Sequence, residues 1–345
     1  MGKTLTTYER IDAAFRHSEA GGVPLWGCIQ HRPIYEKLLR PQHVGLAKDV
    51  SVDDKSRLHA EAYRKLGIDM CRAHLWPPDP GQAPYTNTTW APRQTSAADI
   101  ASYHPALPDE AARDEYVALR MQILRADWPE VVFAPTIRGI FCPVFEQMGL
   151  EEFSYACQDS PGEIERLVEA QTEYARALAE RFAAHRAEVN FVAICDDMAF
   201  KGGMIFPPEW IRRFWRPRFE QVLAPLLKAG IRVIFHSDGN IREIIPDLIE
   251  MGIAGINPLE PVPGMELPEL KRLFGKDLTF VGGVDCNEIL PFAKPAEVRE
   301  HVRRLLETGA PGGGYIIGDS SYVTPSTPEE NVWAYYETVH EFNRR

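Results

Sequence analysis

The chain has 345 residues, a length that suits one large α/β barrel or two ordinary domains, and 45% of its residues are apolar, enough to bury a sizeable core. The net charge is −11 and no stretch is dominated by Lys and Arg, which argues against nucleic acid and anionic membrane surfaces as partners. No apolar run approaches the ~20 residues that span a bilayer, the N-terminus lacks the apolar core of a signal peptide, and the 6 cysteines form no CxxC pair, so the sequence predicts a cytoplasmic protein with free thiols.

The first predicted element is a helix over Thr7–His17, with Thr6 or Thr7 as its cap. Short apolar strands then alternate with helical segments. The predicted strands are Val23–Gln30, Gly67–Leu75, Val131–Gly139, Val189–Met198, Arg232–Asp238, Gly252–Glu260, Leu278–Asp285 and Gly313–Asp319. The longer predicted helices are Arg57–Leu66, Glu110–Asp127, Phe141–Cys157, Pro161–His185, Pro207–Ala229 and Pro328–Asn343. This alternation predicts a single α/β domain over residues 1–345, a (β/α)8 TIM barrel with an N-terminal helical extension. A doubly wound open sheet is the alternative, because the number of strands does not determine closure.

Polar side chains follow the predicted strands at the end where a barrel of this kind holds its active site. In the fifth strand, RVIFHSDGN runs from an apolar segment directly into His236 and Asp238 before a sharp Gly-Asn turn. Strands four, six and seven end in acids, at Asp197, Glu260 and Asp285. Such a cluster suits zinc or a similar divalent ion, and equally general acid–base chemistry without a metal. The structural alternative is that His236 caps its strand and Asp238 caps the next helix.

The other polar residues at the strand ends are candidates for holding the polar end of a small substrate. They are Gln30 and His31 after the first strand, Arg72 and His74 on the second, Arg138 on the third, Asn257 on the sixth and Asp285 on the seventh. Structural alternatives are a helix cap for Arg138 and hydrogen bonds to loop amides for Asp285. The pair Asp196-Asp197 is constrained further: neighbouring strand residues point to opposite faces, so only one of the two faces the barrel centre.

Three segments are specific enough to compare with known families: FHSDGNIREIIPDLIEMGIAGINPLEP, LTFVGGVDCNEIL and TPEENVWAYYETV. They resemble the uroporphyrinogen decarboxylase superfamily, and the resemblance extends over nearly the whole chain. It implies a (β/α)8 barrel, in agreement with the strand count. In this superfamily the true decarboxylases grip an octa-acid tetrapyrrole with an arginine-rich segment on the first strand. The corresponding stretch here, GCIQHR, offers only Arg32, so the resemblance favours the other branch, the cobalamin-dependent methyltransferases.

In that branch, thiol-directed members carry zinc on a His-x-Cys pair and a later Cys. Here His236 matches the histidine, but Asp238 stands where the first cysteine would be. The region of the later cysteine holds Asp319, Ser320 and Ser321. Oxygen ligands in place of thiolates make zinc a stronger Lewis acid, which suits polarising a methyl ether or alcohol oxygen.

The resemblance thus implies a methyltransferase that demethylates a small methoxylated or methylated substrate and passes the methyl group to a separate corrinoid protein. It implies His236 and Asp238 as ligands of zinc or a similar divalent metal, with Glu260 as the third and Asp285 as its alternative. Asp197 completes the predicted catalytic group, and a homodimer is compatible with this interpretation. Two alternatives stay open: a decarboxylase acting on a porphyrin precursor or a smaller acid, and a non-catalytic protein that binds a corrinoid or tetrapyrrole.

Overall fold

Eight parallel strands close into a barrel in the computed structural model, which describes residues 5–19, 21–29, 31–39, 60–73, 121 and 125–344. The strands are β1 (Leu25–Trp26), β2 (Met70–Ala73), β3 (Val132–Arg138), β4 (Phe191–Cys195), β5 (Arg232–His236), β6 (Gly255–Asn257), β7 (Thr279–Val284) and β8 (Tyr315–Asp319). Their order around the barrel is β1, β8, β7, β6, β5, β4, β3, β2. The predicted (β/α)8 TIM barrel is confirmed, and the open-sheet alternative is wrong because β1 pairs with both β2 and β8.

Every strand is shorter than its predicted range, and β1 and β6 are shortened most. β1 covers only Leu25–Trp26, and β6 covers only Gly255–Asn257. In β6 the reason is the next residue, Pro258, which has no N–H to donate to the ladder. β6 therefore ends at Asn257, which pairs in register with His236 at the end of β5.

Helices cover the outside of the barrel. Those of the described residues are α1 (Thr7–Phe15), α2 (Arg32–Leu38), α3 (Cys142–Met148), α4 (Leu150–Asp159), α5 (Pro161–Ala184), α6 (Pro208–Trp210), α7 (Arg216–Lys228), α8 (Ile245–Glu250), α9 (Leu267–Phe274), α10 (Ile289–Phe292), α11 (Pro295–Gly309) and α12 (Glu329–Asn343), and residues 60–66 are helical too. The predicted helix Phe141–Cys157 is instead two helices, because Gly149 turns the chain at a positive φ of 86°. The predicted helix Pro207–Ala229 contains a π-helical turn at Ile211–Trp215, next to Pro217, which has no N–H for the helical ladder.

Alternation along the strands divides the apolar core into an outer and an inner layer. In β5, Val233 and Phe235 pack outward against the helices, whereas Ile234 joins an inner cluster with residues of the other strands. Since side chains two apart share a face, His236 points into the barrel like Ile234. The same rule separates Asp196 from Asp197 after β4.

Helix α1 is the predicted N-terminal extension, and it closes the amino-terminal end of the barrel. Thr6 caps it as predicted, with its Oγ1 accepting from the N–H of Glu9 at 3.2 Å. Phe15 belongs to the inner cluster and lies 5.2 Å, centroid to centroid, from the ring of Phe191 at the start of β4. Asp12 also forms an ion pair with Arg232 at the start of β5. A site open to ligands must therefore lie at the opposite, carboxyl end.

A short antiparallel hairpin, which the sequence did not predict, pairs Ala199–Phe200 with Gly203–Met204 after β4. It packs on the turn that follows β5. There Gly239 has a φ of 80°, and a Cβ added to it would lie 2.6 Å from the backbone nitrogen of Phe200. Only glycine fits this close approach, which fixes the turn that carries Asp238.

No helix in the described ranges is both long enough and apolar enough to cross a membrane. All 6 cysteines are free thiols, as predicted. Cys28 and Cys157 are half-buried, and the other four are buried.

Candidate active site

The candidate site lies at the carboxyl end of the barrel, opposite α1. The strand register places Arg138, Cys195, His236 and Asn257 side by side at the ends of β3 to β6. From β2, the guanidinium of Arg72 reaches the Sγ of Cys195 at 3.4 Å. Neighbouring strands therefore bring the predicted polar residues to one place, as the barrel rule requires.

His236 is held as a neutral imidazole with one nitrogen free to bind a ligand. Its Nδ1 lies 2.6 Å from the Oδ1 of Asn257, whose Nδ2 donates to the carbonyl oxygen of Val281 at 3.3 Å. Since an amide oxygen only accepts, Nδ1 carries the proton and donates it. Burial, together with the positive charge of Arg72, lowers the pKa of His236 to about 4, so Nε2 keeps its lone pair at neutral pH.

Two carboxylates share the space around that lone pair. The Oδ1 of Asp238 lies 3.8 Å from the Nε2 of His236. Although the side chain of Asp238 is 48% exposed, this oxygen is buried and has no hydrogen-bond partner. The Oδ1 of Asp197 accepts a hydrogen bond from the backbone N–H of Asp238 at 3.0 Å. One ligand atom from each of the three residues lies within 4.8 Å of the other two.

A cation at this point would relieve two unfavourable features. The neutral imidazole has no proton on Nε2 to offer to the carboxylates. Burial and repulsion from Asp197 and Glu260 also raise the pKa of Asp238 to about 7. A divalent ion takes electron pairs from imidazole and carboxylate alike and neutralises the acids. One nitrogen and two carboxylate donors therefore fit zinc or a similar ion.

A second group of potential ligands, Cys142, Glu146 and Asp197, lies beside the first. Arg138 already forms an ion pair with Glu146 and donates to the Sγ of Cys142 at 3.0 Å. Both Cys142 and Glu146 are thus already bonded to Arg138, whose positive charge also opposes a metal ion beside them. The group around His236 is therefore the better metal site. Cys142 and Glu146 were not among the predicted site residues, although their i, i+4 spacing places them on one face of a helix.

Glu260, predicted as the third ligand, has other partners. Its Oε2 accepts from the backbone N–H of Gly239 at 2.8 Å, and its Oε1 accepts from the Nδ2 of Asn287 at 3.3 Å. It thus secures the turn that carries Asp238. Its role as a ligand stays a prediction, and Asp197, predicted as catalytic, is the third residue of the group around His236.

Asp196 faces away from the barrel centre and is fully buried. Its carboxylate accepts four hydrogen bonds of 2.6 to 3.1 Å, from the backbone N–H groups of Ile140, Phe141 and Cys142 and from the indole N–H of Trp215. Burial raises the pKa of Asp196 to about 6 even though these donors favour the charged form. Asp196 therefore fixes the start of α3, and Asp197 alone of the pair serves the site.

Two of the predicted substrate-binding residues hold local backbone instead. The Nδ1 of His31 accepts from the N–H of Ile34 at 3.3 Å, and its Nε2 donates to the carbonyl oxygen of Thr327 at 2.8 Å. The Oδ1 of Asp285 accepts from the backbone N–H groups of Asn287 and Glu288 at 2.8 and 2.9 Å. Gln30 and His74 lie outside the described residues. Of the predicted substrate-binding set, Arg72, Arg138 and Asn257 are thus the described members that reach the group around His236.

The family model for uroporphyrinogen decarboxylase (URO-D) matches residues 83–342, which is most of the chain. The chain belongs to the uroporphyrinogen decarboxylase family. The proteins that are similar to this chain include relatives with two different activities. A uroporphyrinogen decarboxylase from Thermus thermophilus is 28% identical over 180 residues, 52% of this chain and 47% of that protein. The methylated-thiol–coenzyme M methyltransferase of Methanosarcina mazei is 22% identical over 207 residues, 60% of this chain and 52% of that protein.

The chain thus spans about half the length of the curated relatives that it matches. A solved structure of a methyltransferase from Methanosarcina mazei is similar to 98% of this chain and 99% of that one, at 18% identity and a TM-score of 0.69. This similarity supports the fold alone, the closed barrel that the described strands form.

Proposed function

We propose that this member of the family is a methyltransferase that takes a methyl group from a small methoxylated or methylated compound and passes it to the corrinoid of a separate protein. One observation carries the proposal: the Nε2 lone pair of His236 lies among the carboxylates of Asp197 and Asp238, and the buried Oδ1 of Asp238 has no hydrogen-bond partner. This donor set suits a divalent metal, zinc or a similar ion. The name of the similar methyltransferase from Methanosarcina mazei supports the same class of reaction.

The chain's own residues have distinct parts in this reaction. Asn257 fixes the imidazole of His236 with Nε2 facing the carboxylates. Asp197 accepts the backbone N–H of Asp238 and so holds that carboxylate in place. A divalent metal bound by these three side chains would supply Lewis acidity at the leaving atom of the methyl donor. The leaving atom would keep the electron pair of the broken bond, and the new bond would be formed with an electron pair supplied by Co(I) when a corrinoid is bound by the partner.

The purified protein is expected to carry roughly one divalent metal ion per chain after growth with added zinc, because three donor groups converge. Elemental analysis measures this content. Methyl transfer is then measured as formation of methylcobalamin from free cob(I)alamin and a panel of small methoxylated compounds. A chelator should abolish the transfer and zinc should restore it. A protein without metal, or one that transfers methyl groups equally well after chelation, would contradict the proposal.

Decarboxylation is the second candidate, and the similarity to the Thermus thermophilus decarboxylase favours it. The stretch after β1, GCIQHR, supplies one arginine for an octa-acid. A buried carboxylate without a cationic partner costs several kcal/mol, on the order of the desolvation penalty of an ion. We therefore expect no coproporphyrinogen from uroporphyrinogen at an enzyme-like rate of ~1 per second. Chromatographic detection of that product at such a rate would favour decarboxylation over methyl transfer as the function.

A further inference from the structure

Arg72 is a cation inside the barrel mouth whose partners carry no carboxylate. Its Nη1 lies 3.4 Å from the Sγ of Cys195, and its Nη2 lies 3.4 Å from the hydroxyl of Tyr322 and 3.9 Å from the Sγ of Cys28. Its Nε is buried and has no hydrogen-bond partner within the ranges that the structure describes. Among the described residues, no acid forms an ion pair with Arg72. Burial raises the pKa of the Cys28 thiol to about 11, so this neighbour is neutral.

Arg138, one strand away, is a contrasting case. Its guanidinium forms an ion pair with the carboxylate of Glu146, and it also donates to the Sγ of Cys142. The charge of Arg138 is therefore already offset by the protein. Both arginines thus reach the same end of the barrel, and of the two it is Arg72 that forms no ion pair with an acid in the described part of the chain.

Asp319, at the end of β8, is close enough for its charge to interact with Arg72. Its Oδ2 accepts from the backbone N–H of Cys28 at 2.8 Å, and its Oδ1 is buried without a partner. Burial raises the pKa of Asp319 to about 7, and Arg72 offsets only part of this rise. Asp319 forms no ion pair with Arg72, so its charge offsets that of the guanidinium only in part.

We propose that Arg72 binds a carboxylate of the methyl donor, which makes the donor an anionic methoxylated or methylated carboxylic acid. This inference rests on the proposed function, and it assigns the substrate class of the same site. A guanidinium presents several N–H donors in a plane and pairs with carboxylates through parallel hydrogen bonds. An unpaired arginine at a barrel mouth lowers stability, and a bound anion compensates for that loss.

Thermal unfolding of the wild type, Arg72→Met and Arg138→Met tests this assignment, with benzoate as the anionic probe and benzyl alcohol as its neutral counterpart. Arg72→Met removes a desolvated cation that has no ion-pair partner among the described residues, so its melting temperature should rise by roughly 2 °C or more. Arg138→Met leaves Glu146 unpaired, so its melting temperature should fall. Benzoate should raise the melting temperature of the wild type and of Arg138→Met but not that of Arg72→Met, and benzyl alcohol should shift none of them.

Three results would overturn the assignment: a benzoate shift that persists in Arg72→Met, no benzoate shift in the wild type, or an Arg72→Met protein that melts earlier or does not fold. His236→Ala removes a metal ligand, so a benzoate shift that persists in this variant excludes binding of benzoate to the metal. The assay needs neither cobalamin nor turnover. Benzoate binding without methyl transfer would count against the proposed function alone, and demethylation of neutral donors without benzoate binding would count against the Arg72 site alone.

Discussion

Alanine in place of His236 is expected to lower metal affinity and methyl transfer at least ~10-fold while leaving the barrel folded. The imidazole supplies the one nitrogen ligand of the group. Its Nε2 accepts no hydrogen bond from a described residue, so the substitution leaves no donor unpaired there. Asn257 loses the hydrogen bond from Nδ1 but keeps its bond to the carbonyl of Val281. The cost to folding is thus about one hydrogen bond, ~1 kcal/mol. Metal content and melting temperature measured on the same preparation test both halves of this expectation.

His31→Ala is the matched control, because His31 is also a buried histidine at the barrel mouth. Both of its ring nitrogens bond to backbone atoms, of Ile34 and Thr327. Its loss leaves a buried N–H and a buried carbonyl without partners, which should lower the free energy of unfolding by about 1–3 kcal/mol. Metal content should stay unchanged. If His236→Ala instead retained full metal and only melted earlier, His236 would be a structural residue like His31.

The sequence predicts the site well where a local rule governs it. Alternation of side chains and the order of strands and helices were enough to predict the barrel and to bring His236, Asp238 and Asp197 to its carboxyl end. These rules act over a few residues and depend little on distant contacts. The strand ends were less predictable, because Pro258 shortens β6 by removing a single ladder donor.

Contacts between distant parts of the chain explain what the sequence could not predict. Whether Asp196 or Asp197 faces the barrel centre depends on the register of β4 with its neighbours. Glu260 has a carboxylate, as Asp197 and Asp238 do, yet its oxygens accept hydrogen bonds from Gly239 and Asn287. Arg72 and Arg138 look alike in the sequence, yet α3 presents Glu146 to Arg138 and no described acid forms an ion pair with Arg72. The hydrogen-bond and ion-pair partners of these side chains are thus determined by the whole fold and not by any one segment.

Asp196 and Asp197 offer the sharpest test, because they are adjacent and have the same side chain. We expect substitution of Asp196 to lower mainly the stability, and substitution of Asp197 to lower mainly the metal affinity. Asp196→Ala removes the acceptor of three backbone N–H groups and the Trp215 indole, all buried. Each stranded donor has a desolvation cost, so the free energy of unfolding should fall by about 3–5 kcal/mol. Water does not readily fill the gap, because the surrounding residues, such as Ile140 and Phe141, are themselves buried and apolar.

Asp197→Ala removes the carboxylate that accepts from one backbone N–H, that of Asp238, and with it one of the three converging ligand atoms. The free energy of unfolding should fall by only about 1 kcal/mol. Metal affinity should fall at least ~10-fold, and methyl transfer with it. Urea denaturation and elemental analysis of both variants measure the two effects separately. A stable Asp196→Ala protein together with an unfolded Asp197→Ala protein would mean that β4 has the opposite orientation, with Asp196 facing the barrel centre. If Asp197→Ala instead kept full metal, His236 and Asp238 would have to bind the ion without it.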